Sequence, residues 1–308
     1  MMLKVVATGR FWRSISMRSI ITPEGFFAYE RQSGYCIFIP NLRSKCWTKP
    51  LYAQIALTEK CNRHCWFCYA SSTPNKYAEW PPGKFKQLID FLDSWGLLGI
   101  SLGGGEPFLY PHLREIVNYT WKKTGLDVTL TTSGSASEGQ IAEVENCVSE
   151  VRISVRSLGD LENLKKFLSR KFQVGVNLLL FKGGVRILGV LIEGALALDV
   201  KDFMINSFLA LGRGVAYKRM EPNEVDYAQL AKLIRKFRGR AAFKVSAQVA
   251  TKLRKHVNFK FLPFACEAKG RIIAITADGK VKPTSLSANA YPFSNPEEIP
   301  KIYMRIVL

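Results

Sequence analysis

The sequence predicts an α/β fold built on a parallel sheet with helical crossovers. Two observations predict it. From about residue 51, short apolar runs alternate with longer amphipathic stretches, six pairs in succession. No run of about 18 apolar residues interrupts them, so none of these runs is a membrane span. Six strand–helix units fall short of an eightfold barrel, so the sheet is open or partly closed.

The strands are predicted at 52–57, 98–102, 126–131, 151–155, 173–181 and 203–208, each rich in Val, Ile and Leu. The helices between and after them are predicted at 84–95, 111–124, 138–148, 159–170, 185–198 and 224–238. Before them, Phe26-Phe27-Ala28-Tyr29 and Tyr35-Cys36-Ile37-Phe38-Ile39 flank a polar turn and predict a β-hairpin. After them, Asp278-Gly279 between alternating segments predicts a second hairpin over 271–282. The chain thus divides into an N-terminal hairpin segment (1–50), a central α/β unit (51–212) and a basic α+β extension (213–308).

The chain has 308 residues and is 47% hydrophobic, enough to bury a sizeable core and to exclude a mostly disordered chain. Its net charge is +19. The centre is nearly neutral and the two ends are basic. The stretch 231–266 contains Lys232, Arg235, Lys236, Arg238 and Arg240 and no acid. Such a face attracts RNA, an acidic peptide or an anionic surface, or is simply solvated. No secretion signal is read at the start, so a cytoplasmic location is expected. The seven cysteines, an odd number, argue against a disulfide framework. The three histidines, His64, His112 and His256, form no metal site by spacing.

Cys61, Cys65 and Cys68 have the spacing C-x3-C-x2-C and follow directly on a predicted strand. Three thiolates in one loop can hold three irons of a cubane cluster and leave the fourth iron open. A zinc knuckle or three unrelated thiols are the alternatives, and no second C-x2-C pair completes a zinc site. A second motif, Gly103-Gly104-Gly105-Glu106-Pro107, ends the next predicted strand, where α/β folds bind ligands.

With these two motifs one βα unit apart, the sequence resembles the radical S-adenosylmethionine (radical SAM) superfamily over about residues 51–212. The aromatic Phe67 before the last cysteine and Gly104-Gly105-Glu106-Pro107 fit the same pattern. The resemblance implies a partial (β/α)6 barrel, one [4Fe–4S] cluster and SAM. Cys61, Cys65 and Cys68 are then iron ligands, Phe67 lies beside the adenine, and Gly103, Gly104, Gly105 and Glu106 take the methionine amino group. Ser154 at the fourth strand end, Ser133 in Thr131-Thr132-Ser133-Gly134, and Asn177 on the fifth strand are further cofactor-binding candidates. Where many relatives have an acid, this chain has Arg156, which alters how the SAM carboxylate is held.

The C-terminal segment resembles the SPASM/twitch branch, whose extensions bind auxiliary clusters. Cys266 is followed by twelve residues, Gly279, four more, and then Thr284 in place of a cysteine. The extension is therefore expected to keep the hairpin without a complete cluster motif, with Cys36, Cys46 and Cys266 as candidates for any second cluster. Cys147 is expected in the core. Tyr29, Tyr35 and Cys266 are candidate hydrogen donors.

The implied function is reductive cleavage of SAM to a 5′-deoxyadenosyl radical that abstracts hydrogen from a peptide, protein or related small molecule. The implied electron donor is external and flavodoxin- or ferredoxin-like. Two alternatives stand beside it. One is RNA modification through the basic extension, with Phe237, Phe243, Phe259 and Phe261 stacking on bases. The other is a non-catalytic scaffold that binds cluster and SAM.

Overall fold

The computed structural model describes residues 17–22, 25–30, 36–40, 49–256 and 270–307. Its centre is a ten-stranded sheet. Seven strands are parallel and in chain order: β4 (Tyr52–Thr58), β5 (Gly99–Gly104), β6 (Asp127–Thr132), β7 (Glu150–Ser154), β8 (Gln173–Leu180), β9 (Asp202–Ser207) and β10 (Ala242–Val245). On the far side of β4 lie β11 (Ile272–Ile275), β12 (Lys280–Lys282) and β13 (Tyr291–Pro292). The two ends of the sheet, β10 and β13, do not pair, so the barrel is partial.

Helices α1 (Pro82–Trp95), α2 (Leu113–Lys123), α3 (Glu138–Val144), α4 (Leu158–Lys165), α5 (Val185–Ala197) and α6 (Glu224–Lys236) connect the parallel strands. Local chemistry fixes their ends. Pro82 opens α1, and Gly96, at φ 88°, closes it in the left-handed region. Ser137 with Gln140, and Asn223 with Asp226, form capping boxes at α3 and α6. The helices α7 (Ala247–Leu253) and α8 (Ile299–Val307) complete the chain.

Alternate strand residues face the helices. Ile55, Leu57, Ile100, Leu102, Val128, Leu130, Val151, Ile153, Val176, Phe203 and Ile205 are all buried in one core cluster with Leu88, Leu92, Ile116, Leu164 and Leu188. Each such side chain contributes about 1.5–3 kcal/mol relative to exposure. The opposite, inner face is polar. Arg152 on β7 reaches Asn177 on β8 (2.9 Å) and Asp202 on β9 (3.0 Å) and pairs with Glu150, while Lys244 on β10 meets Asp202 at 2.7 Å. Gly175 makes room for this: a Cβ there would lie 2.5 Å from Arg152 Nη1.

The six strands and six helices stand where the sequence places them, within a few residues. The sheet also runs on past residue 212, because α6 crosses to a further parallel strand, β10. The hairpin over 271–282 forms between β11 and β12, with Gly279 at φ 74°. In the N-terminal segment β2 (Gly25–Glu30) and β3 (Cys36–Pro40) pair antiparallel, with β1 (Met17–Thr22) added outside β2. The sequence showed no sign of β1. Among the described residues no helix is long and apolar enough to cross a membrane.

Candidate functional site

Both motifs lie at the carboxyl ends of adjacent strands. The cysteines occupy the loop after β4. The glycine motif ends β5, which pairs with β4 in parallel register. Two backbone hydrogen bonds tie them together: Gly105 N donates to Thr58 O (2.7 Å) and Glu106 N to Lys60 O (2.8 Å). This sorts the three glycines. A Cβ on Gly104, at φ 120°, would lie 2.5 Å from Thr58 O, and one on Gly105 would overlap Lys60 O. Those two residues are glycine because the chain's own backbone passes against them. Gly103 alone faces open space, with nothing within 4 Å of a Cβ position.

Glu106 is buried and makes four hydrogen bonds as acceptor. Thr132 Oγ1 donates at 2.7 Å, Ser133 N at 2.8 Å, Ser133 Oγ at 2.6 Å and Phe108 N at 3.3 Å. Its carboxylate therefore locks the end of β5 to the end of β6. Ser133 belongs to that lock.

The three thiols are free and half-buried. Cys61 N donates to Thr73 O (3.1 Å), Arg63 N to Cys61 Sγ (3.4 Å) and Cys68 N to Cys65 O (3.2 Å). Burial pushes the Cys61 thiol up. The Arg63 amide opposes this, and the charges of Glu106, Cys65 and Cys68 add to it. Binding iron removes that proton and the repulsion among the thiolates. Among the described residues no three His, Cys, Asp or Glu side chains converge as ligands of one metal ion. A cubane asks something different of its cysteines, since each binds a separate iron. Three unpaired thiols on one loop, beside the open space at Gly103, fit a three-cysteine cluster with a ligand at its fourth iron.

Two arginines distant in sequence hold this loop. Arg213 donates from Nε to Cys65 O (3.0 Å), from Nη1 to Ser72 O (2.7 Å) and from its backbone N to Cys68 O (3.0 Å). Gly212, at φ 54°, lets that segment press against the Cys68 and Tyr69 carbonyls. Arg156 donates from Nη1 to Cys65 Sγ at 3.0 Å. Neither contact is signalled by local pattern.

The remaining candidates fall as follows. Phe67 packs edge-on against Trp66, which also meets Phe181, Phe208 and Tyr217. Ser154 ends β7 opposite Asn177, and its hydroxyl makes no hydrogen bond with a described residue. The Asn177 oxygen already serves Arg152. Cys147 is buried, as expected. His64 is exposed, while His112 and His256 face Glu115 and Glu224. Phe237 and Phe243 are buried core residues, so they offer no stacking platform; Phe259 and Phe261 lie outside the described residues. So do Tyr35, Cys46 and Cys266, and of Cys36 and Tyr29 only the backbone is described, in β3 and β2. Thr284 is exposed beyond β12.

Residues 55–176 match the family described as the Radical SAM superfamily. Antilisterial bacteriocin subtilosin biosynthesis protein AlbA of Bacillus subtilis is 34% identical over 95 residues, 31% of this chain and 21% of that protein. GTP 3′,8-cyclase of Chlorobaculum tepidum is 32% identical over 109 residues, 35% of this chain and 33% of that protein. The chain thus matches a fifth to a third of the length of these relatives. Among solved structures, Streptococcus suis SuiB bound to S-adenosylmethionine has a TM-score of 0.71 at 13% identity, covering 93% of this chain and 88% of that one. Native anSMEcpe with bound AdoMet and Cp18Cys peptide has a TM-score of 0.60 at 14% identity, covering 84% and 82%. These two show the shared fold. The family match falls on the strands that carry both motifs, and the chain contains a radical SAM domain, the core of an enzyme superfamily that uses a [4Fe–4S] cluster and S-adenosylmethionine.

Proposed function

We propose that this chain uses one [4Fe–4S] cluster and SAM to abstract a hydrogen atom from a peptide or protein side chain, or a related small molecule. The observation that carries this is one juxtaposition. The loop with three free cysteines is fastened by Gly105 and Glu106 beside the strand end where Gly103 leaves space.

When bound, the reduced cluster supplies the electron that cleaves the SAM sulfonium and yields a 5′-deoxyadenosyl radical. Cys61, Cys65 and Cys68 would hold three irons. The backbone edge at Gly103 would receive the methionine amino group. Glu106, saturated by its own neighbours, would hold that edge in place rather than grip the cofactor with its carboxylate. Ser154 would offer its unused hydroxyl to SAM, and Phe67 would flank the adenine. The Trp66 aromatic cluster would shield one side of the loop from water. A flavodoxin- or ferredoxin-like protein would deliver the electron. Residues 51–212 would supply the cofactor site, and 213–308 would close the barrel mouth and hold the substrate.

The inner face favours a peptide-like substrate over a nucleoside triphosphate. AlbA and SuiB are peptide-associated by name, one through bacteriocin biosynthesis and the other through a structure with precursor peptide SuiA; GTP cyclases act on GTP. A triphosphate calls for cations with no partner of their own. Arg152 and Lys244 on the inner face are already paired with Glu150 and Asp202. The test is anaerobic reconstitution with iron and sulfide counted, then EPR of the reduced protein with and without SAM. About four irons per chain and a signal that shifts with SAM are expected. Iron at background level would overturn the proposal. Stimulation of 5′-deoxyadenosine release by GTP, and not by peptides, would overturn the substrate class.

A further inference from the structure

Arg156 is placed by more than its own element. It follows β7, and its guanidinium is gripped along one edge by Asp160, the first acid of α4. Nε donates to Oδ2 at 3.1 Å, Nη2 to Oδ1 at 2.8 Å, and the Arg156 backbone N to Oδ2 at 2.9 Å. Ser157 Oγ adds a fourth bond to Asp160 at 3.3 Å, and Arg63 of the cysteine loop lies 3.6 Å away. The Arg156 and Asp160 side chains are 19% and 7% exposed. Thus fixed, the guanidinium sends Nη1 to Cys65 Sγ at 3.0 Å.

This arrangement answers a question the sequence raised. An arginine grips a carboxylate best with two parallel N–H groups. Arg156 has committed that fork to Asp160. It is therefore not free to give SAM's carboxylate the same grip, and its remaining direction of action is the cysteine sulfur.

We infer that Arg156 sets the reduction potential of the cluster through a fixed, charge-bearing hydrogen bond to the Cys65 sulfur, with Asp160 as its positioning residue. The inference rests on Cys61, Cys65 and Cys68 being the iron ligands. Reduction adds one negative charge to a cluster held by three thiolates. A cation in hydrogen-bond contact with one of those sulfurs stabilises the reduced form more than the oxidised form. Hydrogen bonds to the sulfurs and the local net charge are among the levers that set such potentials. Asp160 neutralises part of the charge, but it also removes the freedom of the guanidinium to turn away. The contact therefore needs no reordering when the electron arrives.

The test is EPR-monitored redox titration of the anaerobically reconstituted full chain, without SAM, so that no turnover enters the readout. Iron and sulfide are counted on every sample. In Arg156→Met the midpoint is expected to move negative. At a fixed ambient potential near the wild-type midpoint, the ratio of reduced to oxidised cluster should fall about tenfold, equivalent to about 59 mV for one electron. Arg156→Lys keeps the charge without the fork and should fall between the two. Asp160→Asn loosens the guanidinium and should broaden or displace the transition. An unchanged midpoint in a fully loaded Arg156→Met protein would overturn the inference. So would failure of both Arg156 variants to bind iron, because the side chain would then serve assembly. Wild-type protein without about four irons would instead remove the premise that the three cysteines are ligands.

Discussion

Glu106 and the cysteines make opposite demands on their surroundings. The thiols are unpaired and wait for a ligand, while the carboxylate is used up within the protein. Replacing Cys61, Cys65 or Cys68 with Ala should therefore leave the fold intact and lower bound iron from about four per chain to background, as iron analysis after reconstitution will show. Glu106→Gln should behave differently. It replaces a charged acceptor of four hydrogen bonds with an amide whose NH2 faces donors. A stability loss of about 1–3 kcal/mol is expected, read by urea unfolding of the apo chain, together with weaker SAM binding. Gly105→Ala would drive a methyl group into the Lys60 carbonyl, which is backbone and cannot rotate aside. It should cost at least as much as an overpacked core, about 1–3 kcal/mol, and should reduce iron retention, because the colliding segment carries Cys61.

Elements rather than residues decide what could be read ahead of the structure. The strands β4–β9 and their helices were legible because each is a short apolar run or an amphipathic stretch, with capping boxes marking the starts of α3 and α6. The strand β10 is four residues, Ala242–Val245, behind an arginine-rich turn, and becomes a strand only because β9 offers an edge. The strand β1 has the same history beside β2. At the site, cysteine and glycine spacing located the loop and strand end. The division of labour among the glycines was hidden, since it depends on where the β4 backbone passes. Arg213 and Arg156 were hidden too, because contacts spanning 148 and 91 residues leave no local trace. Arg213 is a test of how the segment after β9 supports the loop. Arg213→Ala removes side-chain bonds to Cys65 O and Ser72 O. It should speed iron release to a chelator several-fold while shifting thermal unfolding only slightly, because the loop lies outside the core.

Across the whole molecule, the inner-face network joins β7, β8, β9 and β10 and makes stability depend on pH. Burial alone would raise the Asp202 carboxyl, but Arg152 and Lys244 outweigh it and hold it below the usual carboxylate range. A carboxyl depressed in the folded state stabilises the fold above its unfolded pKa, about 3.9. That stability is lost as pH falls through the lower folded value. The urea midpoint should therefore fall steeply below about pH 4. In Asp202→Asn the midpoint should be lower at neutral pH and its acid limb shallower. A parallel acid limb in the variant would show that other carboxylates govern the transition.

The sheet also sets a timetable. β4, the strand that leads into the cysteine loop, is paired on one side by β5 and on the other by β11, with Tyr52 opposite both Gly99 and Ile272. One neighbour, β5, is the next strand to be synthesised, and the other, β11, follows β4 only after six intervening strands. A nascent chain on the ribosome thus carries its three thiols on a loop that leaves a strand with one bare edge until residues 272–275 emerge. Iron–sulfur loading belongs after β11 has emerged, and a polypeptide stopped before β11 would present its three thiols on a loop beside an unprotected strand edge.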